Sequence, residues 1–188
     1  MIKAYKAEGI VLARRNIGEA DKLITIFTKQ FGKKKVLAKG VRRLKSKRAP
    51  YLELCTHVSL ILHPGKTFDY LTEVAACDTF SYLRTRLERI GFAYIALELT
   101  DKLTAEHQEA FFIFEQLREF LYTLNTQKTT RKEVISHLVT YKQELLGELG
   151  FIQKEIPLQA MLLDQTIESI TETRIKSSEL LTSIQKQL

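Results

Sequence analysis

The chain has 188 residues, 45% of them hydrophobic, enough for one large domain or two small ones. Its formal charge is +7, split very unevenly: +9 over residues 1–80 and −2 over residues 81–188. No run of about 18 apolar residues is present, and no secretory signal is expected, so the pattern excludes a membrane-spanning helix and suggests a cytoplasmic protein whose first part meets a polyanion.

The first part reads as β structure. Tyr5–Arg14 is a strand in which Gly9 suggests a bulge or bend, and Arg15–Glu19 reads as a turn. Leu23–Phe27 is a short run of strand formers, followed by a turn in which Gly32 can take a positive φ. Lys33–Lys39 alternates in part. Leu54–Leu62 is a further strand with Val58, Leu60 and Leu62 on one face, His63–Lys66 is a Pro/Gly turn, and Phe68–Cys77 closes the set. Five strands in under 80 residues fit a small closed barrel of OB or SH3-like type.

From Thr79 the period changes to that of a helix. Phe80, Leu83, Leu87, Ile90, Tyr94 and Leu97 form one stripe, with Asp78 or Thr79 as N-cap. A second helix is expected over Glu106–Leu124 and a third over about Thr130–Leu149, ended by Gly150. Phe111 and Phe112 cannot share one helix face, so one of them is expected at an exposed apolar groove. After Pro157 the helical pattern is weak, and Thr171–Leu188 has Ile175, Leu180, Leu181 and Ile184 as its apolar positions. The expected class is therefore α+β, with a barrel over residues 1–78 and an all-α domain over residues 79–188.

Within the barrel part, Lys29–Arg48 stands out. Ten of its twenty residues are Lys or Arg and none is Asp or Glu. Such a run cannot be buried, because unpaired charges are too costly to desolvate. Yet Phe31, Val36, Leu37, Ala38, Val41 and Leu44 are threaded through it and need a core, so the segment is expected to be folded. A folded cationic ribbon suggests a phosphate-binding surface, the bland alternative being a solvated lysine-rich hairpin that only aids solubility. The candidate nucleic-acid contacts are Arg14, Lys33, Lys34, Lys35, Lys39, Arg42, Arg43, Lys45, Lys47 and Arg48. Phe31, Tyr51 and Tyr70 are candidate platforms for base stacking.

Catalytic motifs are missing from the sequence: no GxxxxGK[ST], no GxGxxG and no GxSxG. Glu19 and Asp21 read as turn-stabilising carboxylates. Cys55 and Cys77 lack CxxC spacing and read as reduced, buried thiols, with a disulfide between them left open. His57, His63, His107 and His137 form no ligand pair. No enzyme, metal or cofactor is expected. A nucleic-acid-binding barrel is the leading reading. An RNA- or ribosome-binding OB protein and a non-catalytic assembly scaffold remain as rivals, since charge alone does not separate them.

Several phrases carry a family likeness. Gly9-Ile10-Val11-Leu12, then Gly18-Glu19-Ala20-Asp21-Lys22, then Thr28 ahead of Phe31-Gly32-Lys33, then Ala38-Lys39-Gly40-Val41-Arg42-Arg43 with Ser46 following, resemble the amino-terminal domain of the RecO family of bacterial DNA repair proteins. Thr79–Arg84, Tyr94–Leu99 and Leu149-Gly150-Phe151 are similar to that family's later part. The likeness covers roughly residues 1–152. It implies an OB-fold followed by a helical domain, and binding and annealing of single- and double-stranded DNA. It also implies work with RecR and RecF that helps RecA displace single-strand-binding protein, at the nucleoid, without catalysis. Many members carry a four-cysteine zinc site after the LGF-like point. Gln153–Ala160 has no cysteine here, so zinc is not expected.

Overall fold

The computed structural model describes residues 4–172 together with Ile175 and Ser177. The chain forms two compact units. One comprises Met1–Thr79 and Ala105–Phe114, the other Phe80–Thr104 and Glu115–Leu188.

In the first unit, five runs of strand formers pair into a closed barrel. The strands are β1 (Tyr5–Ile17), β2 (Asp21–Thr28), β3 (Gly32–Ala38), β4 (His57–His63) and β5 (Asp69–Asp78). Their order is β1-β2-β3-β5-β4, closing on β1. All pairings are antiparallel except β3–β5, which is parallel over two residue pairs, Val36–Asp69 and Leu37–Tyr70. This is the OB-fold arrangement, and closure leaves no long strand edge unpaired. Alternate residues point inward (Val11, Ile24, Ile26, Val36, Ala38, Val58, Leu60, Leu62 and Leu71), and Val41 and Leu52 from the connection between β3 and β4 join them. Each such Val, Leu or Ile side chain contributes about 1.5–3 kcal/mol on burial.

Strand ends depart from the sequence expectations where tertiary pairing overrides local signals. The expected turn at Arg15–Glu19 is mostly strand: Arg15 and Asn16 pair with Leu23 and Lys22, and the turn shrinks to Gly18–Ala20. Leu54–Thr56, expected as strand, precedes β4. There Cys55 donates its N–H to the Val11 carbonyl (3.1 Å) and Val11 donates to the Thr56 carbonyl (3.0 Å). The irregularity in β1 lies not at Gly9 but between Val11 and Ala13. Gly9 serves a close approach instead, since a Cβ there would sit 2.5 Å from Ile26 Cγ2 and 3.0 Å from the Phe27 carbonyl oxygen.

The segment Ala105–Phe114 was expected as the start of a helix. Only its last four residues are helical. Glu106 instead forms an isolated parallel bridge with Lys33, and His107 donates its N–H to the Lys33 carbonyl (2.9 Å). Gly32 adopts φ +62° against it, and a Cβ there would lie 1.8 Å from the Gln108 carbonyl oxygen. Phe114 then packs its ring against Phe27 and His57, with centroids 6.4 and 6.1 Å apart.

The second unit is helical. It holds α1 (Ser81–Arg84), α2 (Leu87–Leu103), all but the first turn of α3 (Phe111–Asn125), α4 (Arg131–Glu148) and α5 (Ala160–Thr171). The single stripe expected from Phe80 to Leu97 is broken at Thr85–Arg86, and Leu87 is exposed. Neither Asp78 nor Thr79 caps the helix; Phe80 occupies that position in a left-handed conformation. Beyond the break, α2 is apolar nearly all round: Phe92, Ala93, Ile95, Ala96, Leu97 and Leu99 are all buried. A helix buried on every side has no single stripe to read.

Arg89 ties the end of α3 by donating to the carbonyls of Leu124 (2.5 Å), Thr126 (2.8 Å) and Thr129 (2.7 Å). α4 begins in a capping box in which Thr130 and Glu133 exchange bonds. It ends at Gly150 (φ +78°), where Gly150 N–H meets the Gly147 carbonyl (3.1 Å) and Phe151 N–H the Leu146 carbonyl (2.9 Å), a Schellman closure. The buried Tyr141 bonds Thr100 Oγ1 (2.5 Å) and stacks on Phe120. Lys142 reaches Asp164 (2.5 Å) to hold α5, whose Leu163 and Ile167 are buried. Leu180, Leu181 and Ile184 lie outside the described residues. Among the described residues, no helix is long and apolar enough to cross a membrane.

Candidate nucleic-acid interface

The ten cations expected to form one surface divide into two groups. Those on strands are occupied by the protein. Lys33 is 8% exposed, buried on β3. Lys34 Nζ lies 2.6 Å from Asp69 Oδ2, over the rings of Tyr5 (5.3 Å) and Phe31 (5.8 Å), and the Tyr5 hydroxyl donates to the same carboxylate oxygen. Burial works to lower the Lys34 pKa, but its bonds with Asp69 and Tyr5 overcome this and hold it above the ordinary lysine value. Burial works to raise Asp69, and the bonds from Lys34 and Tyr5 hold it below the usual carboxylate value. Lys35 pairs with Glu106, whose carboxyl is lowered by that hydrogen bond. Arg14 pairs with Glu53.

The second group sits on the loop from Lys39 to Arg48. Lys39, Arg43, Lys45, Lys47 and Arg48 line an open concavity of about 680 Å³, with Gly40, Ser46 and one carboxylate, Asp21. Asp21 Oδ1 accepts the Gly40 N–H (2.7 Å), so it serves the turn, as expected of it. Lys39 Nζ lies 4.6 Å above the ring of Tyr70, which is 37% exposed. Arg42, Arg43, Lys45 and Lys47 are exposed, and among the described residues none of the four has a carboxylate partner.

The loop is nevertheless anchored. Val41 is buried in the barrel core. Arg42 donates its N–H to the Ala20 carbonyl (2.9 Å) and Nη1 to the Gly18 carbonyl (3.0 Å). Arg48 spans the far side, donating to the carbonyls of Leu71 (2.9 Å) and Lys39 (2.7 Å). Leu44, expected to reach a core, is instead 106% exposed at the loop tip.

Of the stacking candidates, Tyr51 and Tyr70 are exposed, whereas Phe31 packs against the barrel core, edge-on to Tyr5. Phe111 and Phe112 are both exposed, so neither joins the buried stripe of Phe114, Leu117, Leu121 and Leu124. Cys55 is buried but Cys77 is exposed, contrary to expectation, and no disulfide joins them. Sequence reasoning missed Glu53, Asp69 and Glu106 as the groups that claim Arg14, Lys34 and Lys35. All three lie far from their partners in sequence, so no local pattern announces them.

A four-cysteine zinc set does not fit this chain. Gln153–Ala160 has no cysteine, and the sequence has only two, Cys55 and Cys77. What the loop can do chemically is hold anions by charge and hydrogen bonds.

Comparison with known proteins agrees with this architecture. The family model described as Recombination protein O N terminal matches residues 1–80, and that described as Recombination protein O C terminal matches residues 84–153. The DNA repair protein RecO of Roseiflexus sp. (strain RS-1) is 39% identical over 149 residues, 79% of this chain and 51% of that protein. The RecO of Symbiobacterium thermophilum is 32% identical over 149 residues, 78% and 57% of the two chains. That of Pelotomaculum thermopropionicum is 34% identical over 123 residues, 65% and 48%. The chain thus spans about half the length of the curated relatives it matches. With both family models in register, one on the barrel and one on the helices, the chain belongs to the RecO family.

Proposed function

We propose that the chain is a non-catalytic DNA repair and recombination mediator. It binds single- and double-stranded DNA without sequence preference through the loop Lys39–Arg48. The observation that carries this reading is the anchored concavity with five cations facing one carboxylate, beside the exposed Tyr70 ring. Phosphates bind such a site whatever the base sequence, and a ring can stack any base. Holding two strands on one cationic surface lowers their mutual repulsion and leaves bases free to pair, which is strand annealing.

The partners proposed with it are RecR and RecF, and through them RecA loading on DNA coated by single-strand-binding protein, a reading supported by likeness to the family. The reading places the chain in the cytoplasm, at the nucleoid. Within the helical unit, the groove between α3 and α4 is lined by Glu119 and Glu144 with His137. We propose that the acidic carboxyl tail of single-strand-binding protein docks on the helical unit, on a face other than this groove, where two carboxylates would repel it. Arg14, Lys33, Lys34 and Lys35 complete the proposed contact set at lower weight, because carboxylates or burial already claim them.

The test is annealing of two complementary oligonucleotides, one coated with single-strand-binding protein, without ATP. Acceleration supports the mediator reading. Binding without acceleration reduces it to a nucleic-acid-binding module, and tighter binding of matched RNA than DNA favours the RNA reading. If roughly five phosphates are neutralised, the log–log salt slope is about −3.5 for single strands. Salt-sensitive binding to a protein but to no oligonucleotide would leave only the scaffold.

A further inference from the structure

Leu44 has no structural reason to be a leucine. It is 106% exposed, while Val41 in the same loop is 1% exposed, so the loop does bury an apolar residue where the core can use one. Ser46 donates its N–H to the Arg43 carbonyl (2.9 Å), which makes Arg43–Ser46 a tight turn with Leu44 at its first central position. Such positions favour Pro or polar residues, and the turn itself gains nothing from an aliphatic side chain. Arg43 and Lys45, both exposed, flank it directly in the chain.

The turn is also held still at its base. Val41 is buried, Gly40 N–H is bonded to Asp21, and Arg42 is bonded twice, to Ala20 and Gly18. Arg48 is bonded twice more, to Leu71 and Lys39. An apolar tip on a fixed base between two cations is the arrangement of a wedge: the cations hold phosphates and the tip enters between bases. A leucine offers no hydrogen bond to a base, so insertion does not select sequence. Unstacking costs least where the stack already ends.

We infer that Leu44 inserts beside the terminal base pair of a duplex, so that the loop prefers a junction of single strand and duplex to either form alone. This rests on the nucleic-acid reading above and names the substrate of that same site. The flanking cations suit the polyanionic backbone, whereas one leucine buries too little to hold a bilayer surface.

The experiment compares three probes by fluorescence anisotropy at one salt concentration: a single strand, a blunt duplex, and a junction with 2-aminopurine in the terminal pair. The full chain binds the junction about fivefold tighter than the single strand, as expected for partial burial of one leucine side chain. 2-Aminopurine brightens on binding as its stacking is lost. Leu44→Ala lowers junction affinity to the single-strand level, leaves single-strand affinity within about twofold and abolishes the brightening. Leu44→Met retains the preference. An unchanged melting temperature shows that the variants are folded.

Equal affinities of the wild type for the junction and for either the single strand or the blunt duplex, or a preference that survives Leu44→Ala, would overturn the wedge alone. So would Leu44-dependent binding to anionic phosphatidylserine vesicles with no effect on the junction. Failure of the wild type to bind any of the three probes would overturn the nucleic-acid reading, and the wedge with it.

Discussion

The lysines of β3 and the cations of the loop that follows come from one uninterrupted run of sequence, yet they end in opposite electrostatic states. Lys34 and Lys35 are claimed by Asp69 and Glu106, and Lys33 is buried. Arg43, Lys45 and Lys47 have no carboxylate partner among the described residues and open onto a concavity. Density of charge in the chain therefore does not locate a binding surface. On the function proposed above, the surface lies where the cations are left without carboxylate partners. The first part of the chain has only seven carboxylates. Of these, Asp69 is taken by Lys34 and Glu53 by Arg14, with Glu106 supplied from beyond α2 for Lys35.

If that division is right, charge reversal in the loop has the largest effect. Arg43→Glu with Lys45→Glu should weaken single-strand binding by at least about a hundredfold at matched low salt, without changing the melting temperature. Titration by anisotropy checks this, and retained affinity would break the comparison. Next comes Gly32→Ala. The substitution sits at φ +62° with the Gln108 carbonyl in the way, so it should cost about 2–3 kcal/mol of stability by denaturant unfolding. It should also displace Glu106 and release Lys35.

Smaller still is Asp69→Asn. It removes a half-buried pair and should cost about 1–2 kcal/mol, with DNA affinity changed less than threefold. It also carries a pH signature. Asp69 has a lowered pKa in the fold, so its contribution is present above its ordinary value of 3.8 and disappears as pH falls through the lowered one. Lys34 has a raised pKa, so its contribution is full below 10.5 and is lost as pH rises through the raised value. Stability against pH should therefore lose part of its acid limb in the variant. The smallest effect is the most direct sharpening. Glu106→Gln frees Lys35 and should tighten single-strand binding about twofold with almost no change in stability, because the ion pair is solvent-exposed.

The barrel was legible because its strands are marked by β-branched and apolar runs between glycine turns. The strand ends were less so, since Arg15 and Asn16 carry turn-like chemistry and become strand only by pairing with β2. In the helical unit, Thr130 and Gly150 announced the two ends of α4, whereas α2 defeated pattern reading by being buried all round. The cationic surface was legible as composition and not as geometry. The carboxylates that silence Arg14, Lys34 and Lys35 lie 39, 35 and 71 residues away, and Leu44 was read as core because apolar residues are threaded through the whole of that stretch.

The contribution of Ala105–Phe114 to the barrel unit sets an order of events at the ribosome. All five strands have been made once Asp78 is synthesised, but the segment that lies against Gly32 and brings Phe114 to Phe27 follows only after α1 and α2. At about 5–20 residues per second, the strands wait seconds for their last neighbour. During that interval Phe27 lacks the ring of Phe114 and Lys35 lacks its carboxylate. The nascent barrel is thus briefly stickier and more cationic than the finished one, beside a ribosome built largely of phosphate.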